Sequence, residues 1–271
     1  MHSLTNRHRL ARRLPALAVA VTGLLILLFL QLPVIVVILA SFTETSYLTV
    51  PPQGFTFKWY WAVLGDRSYL DAIGFSFVLA ICTTALSLII GTAAGYALMR
   101  RKVPGSEAIT AVLMAPLVFP AVVIAVALLQ FYSLVGLRGS FIGLLAAHLL
   151  ITLPYVVRSV LASFAGTNTA LEEAAWTLGA NGWQAFHKVV LPLIRPGLVA
   201  GGIFSFIVSF DNVPVSIFLI SVRQTTLPVK IFAAVEHGID PGVAAVSTLL
   251  ILLTGSALVL AERWTGFHRF A

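Results

Sequence analysis

The sequence predicts an all-α, polytopic membrane protein of six transmembrane helices, with both termini in the cytoplasm and one cytoplasmic helix–turn–helix loop. Three observations carry this prediction. Hydrophobic residues make up 59% of the 271-residue chain and charged residues 10%, and a mean hydropathy of +0.99 belongs to integral membrane proteins rather than to water-soluble domains. The apolar residues gather into runs that reach the roughly 20 residues a helix needs to cross a bilayer. Lys and Arg are also shared unevenly between the loops that separate those runs.

Residues 1–13 carry Arg7, Arg9, Arg12 and Arg13 without an acidic partner, and an apolar run from about Leu14 to Ala40 follows. The run is much longer than the roughly 7–15 apolar residues of a cleavable signal, so it reads as an uncleaved first span entered from the cytoplasm. Residues 41–70 hold Pro51, Pro52, Gly54 and the aromatics Phe55, Phe57, Trp59, Tyr60 and Trp61, which suit a short helix at the outer interface. A second span runs from about Asp71 to Met99, with Gly91 and Gly95 spaced for close helix packing. Arg100, Arg101 and Lys102 follow. The third span, about Ala108 to Leu134, contains Pro116 and Pro120 one turn apart and is expected to be kinked or broken. The fourth, about Phe141 to Phe164, holds His148, read as a hydrogen-bonded interior histidine, and Arg158, read as snorkelling. The fifth covers about Gly197 to Ser221, and the sixth about Pro241 to Ala261. These boundaries divide the chain into 1–70, a core of 71–262 with a polar loop at about 166–196, and a tail of 263–271.

The orientation can be tested by counting cations. Placing both termini inside puts 12 of the 17 Lys and Arg residues in the cytoplasm, the asymmetry expected of inner loops. Basic residues scattered between apolar runs argue against nucleic acid as a partner. The lone Cys82 rules out an internal disulfide.

The polar loop carries the clearest local signals. Thr169 and Glu172 have capping-box spacing, so a helix is expected to begin there. Leu171, Ala174, Ala175 and Leu178 then draw an apolar stripe that leaves Glu172, Glu173 and Trp176 off it. Gly179 suits a left-handed helix end. Asn181 and Gln184 offer a second cap, for a helix with Trp183, Phe186 and Val190 on one face that Pro192 is expected to interrupt. These signals are compatible with a solvated connector or with a docking element.

In the fifth span, Gly201, Ser205, Ser209, Asn212 and Ser216 form a small polar stripe. Asp211 falls on another face, about 20 Å along the helix, and Pro214 is expected to break the helix beyond it. An intramembrane carboxylate costs at least ~2.5 kcal/mol on insertion scales. Asp211 must therefore face a watery path, pair across a subunit interface, or sit at a helix end. The chain lacks a GxxxxGK[ST] loop, an HExxH pair, a GxSxG elbow and a TVGYG filter, so ATPase, metalloprotease, hydrolase and potassium-channel chemistries have no basis in this chain. One Asp and one His within the spans are too few for the usual ion relay of a secondary transporter. A scaffold without transport would leave the polar loop unexplained.

Glu173-Ala174-Ala175, three residues, Gly179, nine residues, Val189, one residue and Leu191-Pro192 resemble the EAA loop of the permease subunits of bacterial ABC importers, with Val189 where Ile is usual. Ser209–Leu219 and Leu227–Leu253 look like the second permease of spermidine/putrescine-type importers. Relatives for opines, aminophosphonates and other organic solutes look much the same. The resemblance implies ATPase coupling through Glu172, Glu173, Ala174, Ala175 and Gly179, with Leu191 and Pro192 tying the loop to the fifth span. Asp211, with Asn212 beside it, is the candidate for a substrate path, and the family usually carries a second acidic residue in place of Asn212. The implied partners are a second permease, two ATPase subunits that bind the ATP and Mg, a periplasmic binding protein and the lipid of a bacterial inner membrane. The chain itself would hold no cofactor or metal and would not be an enzyme.

Overall fold

The computed structural model describes residues 2–100, 103–221, 224–238 and 240–265, with side chains described within 18–256. Arg7, Arg9, Arg12, Arg13, Arg101, Lys102, Arg223, Arg263 and Arg269, which enter the charge count, lie outside the described residues or side chains, as does most of the 263–271 tail. Among the described residues the chain is helical, with only an isolated bridge between Ser221 and Gln224. It divides into two compact units, Met1–Gly65 with His237–Ala257, and Asp66–Glu236 with Leu258–Ala271.

In the first unit, α1 (His2–Ala40) leads into an irregular segment closed by α2 (Lys58–Gly65). Of the aromatics expected at the interface, Phe55, Phe57 and Tyr60 cluster around Phe42, which stacks on Phe55 at 4.7 Å between ring centroids, with Phe57 edge-on to both, whereas Trp61 is exposed. Trp59 Nε1 donates to the Thr43 carbonyl at 2.8 Å, which uses the one polar atom of the indole.

The second unit is built on three long helices, α3 (Arg67–Arg100), α6 (Phe141–Ala165) and α9 (Leu191–Phe210). Their contacts are made through small residues. A Cβ on Gly91 would come 2.7 Å from Val156, and one on Gly95 would come 2.7 Å from Val160. Gly201 packs on the Val156 backbone from the other side. With no hydrophobic driving force between helices inside a bilayer, such close approach supplies the dispersion that holds them.

Between α3 and α6 lie α4 (Ser106–Met114), a 3-10 turn (Ala115–Leu117) and α5 (Ala121–Val135). The expected break at Pro116 and Pro120 is present, and the two halves are bent by 100°. Four helices are long and apolar enough to cross a membrane, and the α4/α5 pair makes a fifth if counted as one broken span. Pro241–Ser256, in α12 (Pro241–Thr265), is a shorter apolar helix. The count of six and the assignment of sides therefore rest on the sequence.

The fifth span departs from its expected limits at both ends. Helix is continuous from Gly182 to Phe210, through α8 (Gly182–Ala185), a π-turn (Phe186–Val190) and α9. Pro192 does not interrupt it. The proline falls in the first turn of α9, and the wider π-turn just before it takes up the carbonyl positions that a proline disrupts in a regular helix. At the other end α9 stops at Phe210, five residues follow, and α10 (Ser216–Leu219) resumes. Asn212 and Ser216 thus lie beyond the helix that was expected to carry them. An unanticipated helix, α11 (Leu227–His237), is anchored at its start by the Leu227 N–H donating to Ser76 Oγ of α3 at 2.8 Å.

Candidate functional site

The polar loop folds as α7 (Ala170–Thr177), a turn and α8. Gly179 adopts φ +88°, a conformation that costs little only for glycine. Asn181 and Gln184 form the complete capping box, with both reciprocal bonds at 2.9–3.0 Å. The first helix starts where expected, but its cap differs. The Thr169 side chain makes no cap bond. The Ala170 N–H is instead met by Asn168 Oδ1 at 2.9 Å.

Glu172 is free of the expected box because it is used elsewhere. It is 3% exposed, and it is the buried residue of α7. Tyr96 donates its hydroxyl to Glu172 Oε1, and Arg100 Nε lies 3.2 Å from Oε2. That N–H points off the line to the oxygen and makes no directed hydrogen bond, so charge attraction is what joins the pair there. Arg100 Nη2 donates to Thr167 Oγ1 at 3.0 Å, and the guanidinium lies 5.1 Å from the Phe164 ring centroid. Tyr96 also meets Phe186 of the π-turn edge-on, at 5.2 Å.

This arrangement sets the two sides of α7. Leu171 is 50% exposed and Leu178 87%, with Trp176 and, on α8, Trp183 also open. The apolar stripe points away from the unit and Glu172 points into it, because the polar partners at the end of α3 make that side the better place for a carboxylate. Glu173 and Ala174 are exposed and Ala175 half-buried. Leu191 and Pro192 lie at the start of α9 beside the π-turn, so the structure brings them to the far side of the Gly179 turn from Glu173.

The second cluster surrounds the break after α9. Asp211 is the C-cap residue, its N–H donating to the Ile207 carbonyl at 2.9 Å, and its side chain is exposed. Asn212 is only partly so, and its Oδ1 accepts from the Val215 N–H at 2.9 Å. It therefore acts as a cap for the next turn. His148 is fully buried and bridges the break, with Nδ1 2.9 Å from Ser209 Oγ and Nε2 3.0 Å from Ser216 Oγ. Hydroxyls either donate or accept, which suits a ring that offers one of each. Thr152 Oγ1 donates to the His148 carbonyl and lies 2.7 Å from Ser87 Oγ on α3. The spacing of Ser209 and Ser216 was visible in the sequence, but their common partner was not.

At the N-terminal end of α3 a cavity of about 950 Å³ is lined by Arg67, Ser68, Asp71, Phe75, Gln224 and Thr225 among others. Its charged residues were not singled out from the sequence. Among the described residues no group of His, Cys, Asp and Glu is arranged to hold a metal ion.

The second unit is thus a helical membrane bundle with an exposed apolar face on α7 and a carboxylate at the break after α9. Residues 87–264 match the family described as binding-protein-dependent transport system inner membrane component. The chain is 33% identical over 226 residues to the spermidine/putrescine transport system permease protein PotC of Escherichia coli K12, covering 83% of this chain and 85% of that one. It is 30% identical to the putrescine permease PotI of the same strain, covering 84% and 83%. It is also 26% identical to the molybdate/tungstate permease WtpB of Thermococcus kodakarensis, covering 88% and 90%. A bacterial ABC transporter that imports alginate has the same fold, with a TM-score of 0.77 at 18% identity over 94% of this chain and 97% of that one. The chain belongs to the family of inner-membrane permease components of binding-protein-dependent ABC importers.

Proposed function

We propose that this permease pairs with a second, related permease to enclose a path for a polyamine-like organic cation, is driven by two copies of a separate ATPase, and receives its solute from a periplasmic binding protein. ATP and Mg are held by the ATPase. Closure of the ATPase pair displaces α7, and the cavity between the two permeases switches from inward to outward facing.

The observation that carries this reading is the outward apolar face of α7 and α8. Leu171, Trp176, Leu178 and Trp183 are exposed on a loop whose Glu173, Ala174, Ala175 and Gly179 keep the EAA spacing. An apolar patch on the aqueous side of a membrane protein marks an interaction site. The Glu173→Ala, Gly179→Pro double substitution should lower uptake roughly tenfold or more while the subunit still inserts, because proline cannot adopt φ +88°. Full uptake in that variant would overturn the assignment.

The solute class rests on Asp211 and on the likeness to PotC and PotI, since related folds serve molybdate/tungstate and alginate systems. Asp211 offers one uncovered carboxylate at the α9 break, with Asn212 beside it, and a carboxylate there favours a cation. Stimulation of ATP hydrolysis by spermidine or putrescine in the assembled complex with its binding protein is the expected result. Stimulation by opines or aminophosphonates instead would move the solute class.

A further inference from the structure

Burying Glu172 against Arg100 is a poor way merely to attach a helix. Both side chains are almost fully covered, at 4% and 8% exposure. The desolvation of two buried charges cancels much of their attraction, and apolar side chains of similar volume hold as well or better. What a charged, hydrogen-bonded pair adds is registry, because Glu172 is satisfied in one position only.

That position is set by α3. Tyr96 and Arg100 are four residues apart, on one face of its last turns, and both address the same carboxylate. Arg100 also holds Thr167, at the link between α6 and α7. Tyr96 touches Phe164 of α6 and Phe186 of the π-turn. Just above, Gly91 and Gly95 lock α3 onto Val156 and Val160 of α6. Gly197 and Gly201 bring α9 onto Ser159 and Val156 of the same helix. The three helices have little room to slide past one another.

Without the pair, α7 would be joined to this body by a turn at each end, Gly166–Thr169 before it and Leu178–Asn181 after it, and by its packing against α8 and the π-turn. A short helix between two turns can rock when pushed. We infer that Arg100 and Tyr96 are positioning residues that pin α7 to α3 through Glu172, so that a displacement of α7 carries α3, α6 and α9 as one body. The inference rests on the reading that α7 receives the motion of an ATPase.

The test uses the complete complex, reconstituted in proteoliposomes with its ATPase, partner permease and binding protein. The quantity measured is solute taken up per ATP hydrolysed, with whichever of spermidine, an opine or an aminophosphonate stimulates the wild-type complex. The Arg100→Met, Glu172→Met double substitution replaces the pair with apolar volume. It should still bind the ATPase and hydrolyse ATP, with uptake per ATP reduced roughly fivefold or more. Tyr96→Phe, which removes one hydroxyl, should reduce the ratio about twofold and decides the matter if the double variant fails to assemble. As a control for instability, Leu144→Ala opens the buried core of α6 and should lower the yield of complex without changing the ratio. An unchanged ratio in the pin variants beside a coupled wild type overturns the pin alone. Full uptake per ATP in the Glu173→Ala, Gly179→Pro variant overturns the coupling reading of α7 and the pin with it.

Discussion

At the α7 end of the second unit a carboxylate is buried and a cation comes to meet it, with Glu172 and Arg100 3.2 Å apart. At the α9 break the buried groups are neutral, a histidine between two serines, and Asp211 is exposed. Both arrangements fix the end of a helix. They differ in where the charge is put. The charge that holds a shape is paired and hidden, whereas the one proposed to meet a solute stays exposed. The same chemical group, a carboxylate, thus has opposite exposure at the two ends, and the hydrogen bonds around each follow from that.

Substitutions at four positions probe the contrast by thermal unfolding of the purified protein. Arg100→Met alone should be the most damaging, by about 3–5 kcal/mol, because it strands the Glu172 carboxylate in a buried site. A loss under about 1 kcal/mol would mean that Glu172 can turn to water, and the two ends would then be alike. His148→Leu comes next, at about 2 kcal/mol, since it leaves the Ser209 and Ser216 hydroxyls without their shared partner. His148→Gln should recover part of this by serving one of the two serines. Asn212→Ala removes a single cap bond and should cost about 1 kcal/mol. Asp211→Asn should change stability by less than about 0.5 kcal/mol yet reduce uptake roughly tenfold, a loss of ~1.4 kcal/mol in a functional step. A large stability loss in Asp211→Asn would assign that carboxylate a structural role and remove the contrast.

How much of this was legible depends on how far each determinant lies along the chain. The break at Pro116 and Pro120, the left-handed Gly179 and the Asn181–Gln184 box are set within one turn of sequence, and the structure contains all three. The packing of Gly91 and Gly95 was also readable, because small residues four apart have few other uses in a span. Glu172 was misplaced because its spacing from Thr169 is a valid local signal, and the competing partners, Tyr96 and Arg100, are more than 70 residues away. Once those partners occupy the inner side, the apolar stripe of α7 must turn outward. Pro192 misled for a different reason. A proline rule written for a regular helix does not allow for a π-turn immediately before it. The cation charge of Arg100 was counted in setting the topology, and its role in the fold was hidden by that use.

The two-sidedness of α7 also defines what it would take to fit this subunit to a different motor. Under the proposed docking, the residues that face outward, Leu171, Glu173, Ala174 and Leu178, could be rewritten to match another ATPase surface without touching the inner contacts. Glu172 could not, since its partners lie in the permease itself. Adjacent positions in one short helix therefore answer to different molecules. A subunit-swapping design would exchange the first set and leave the second untouched.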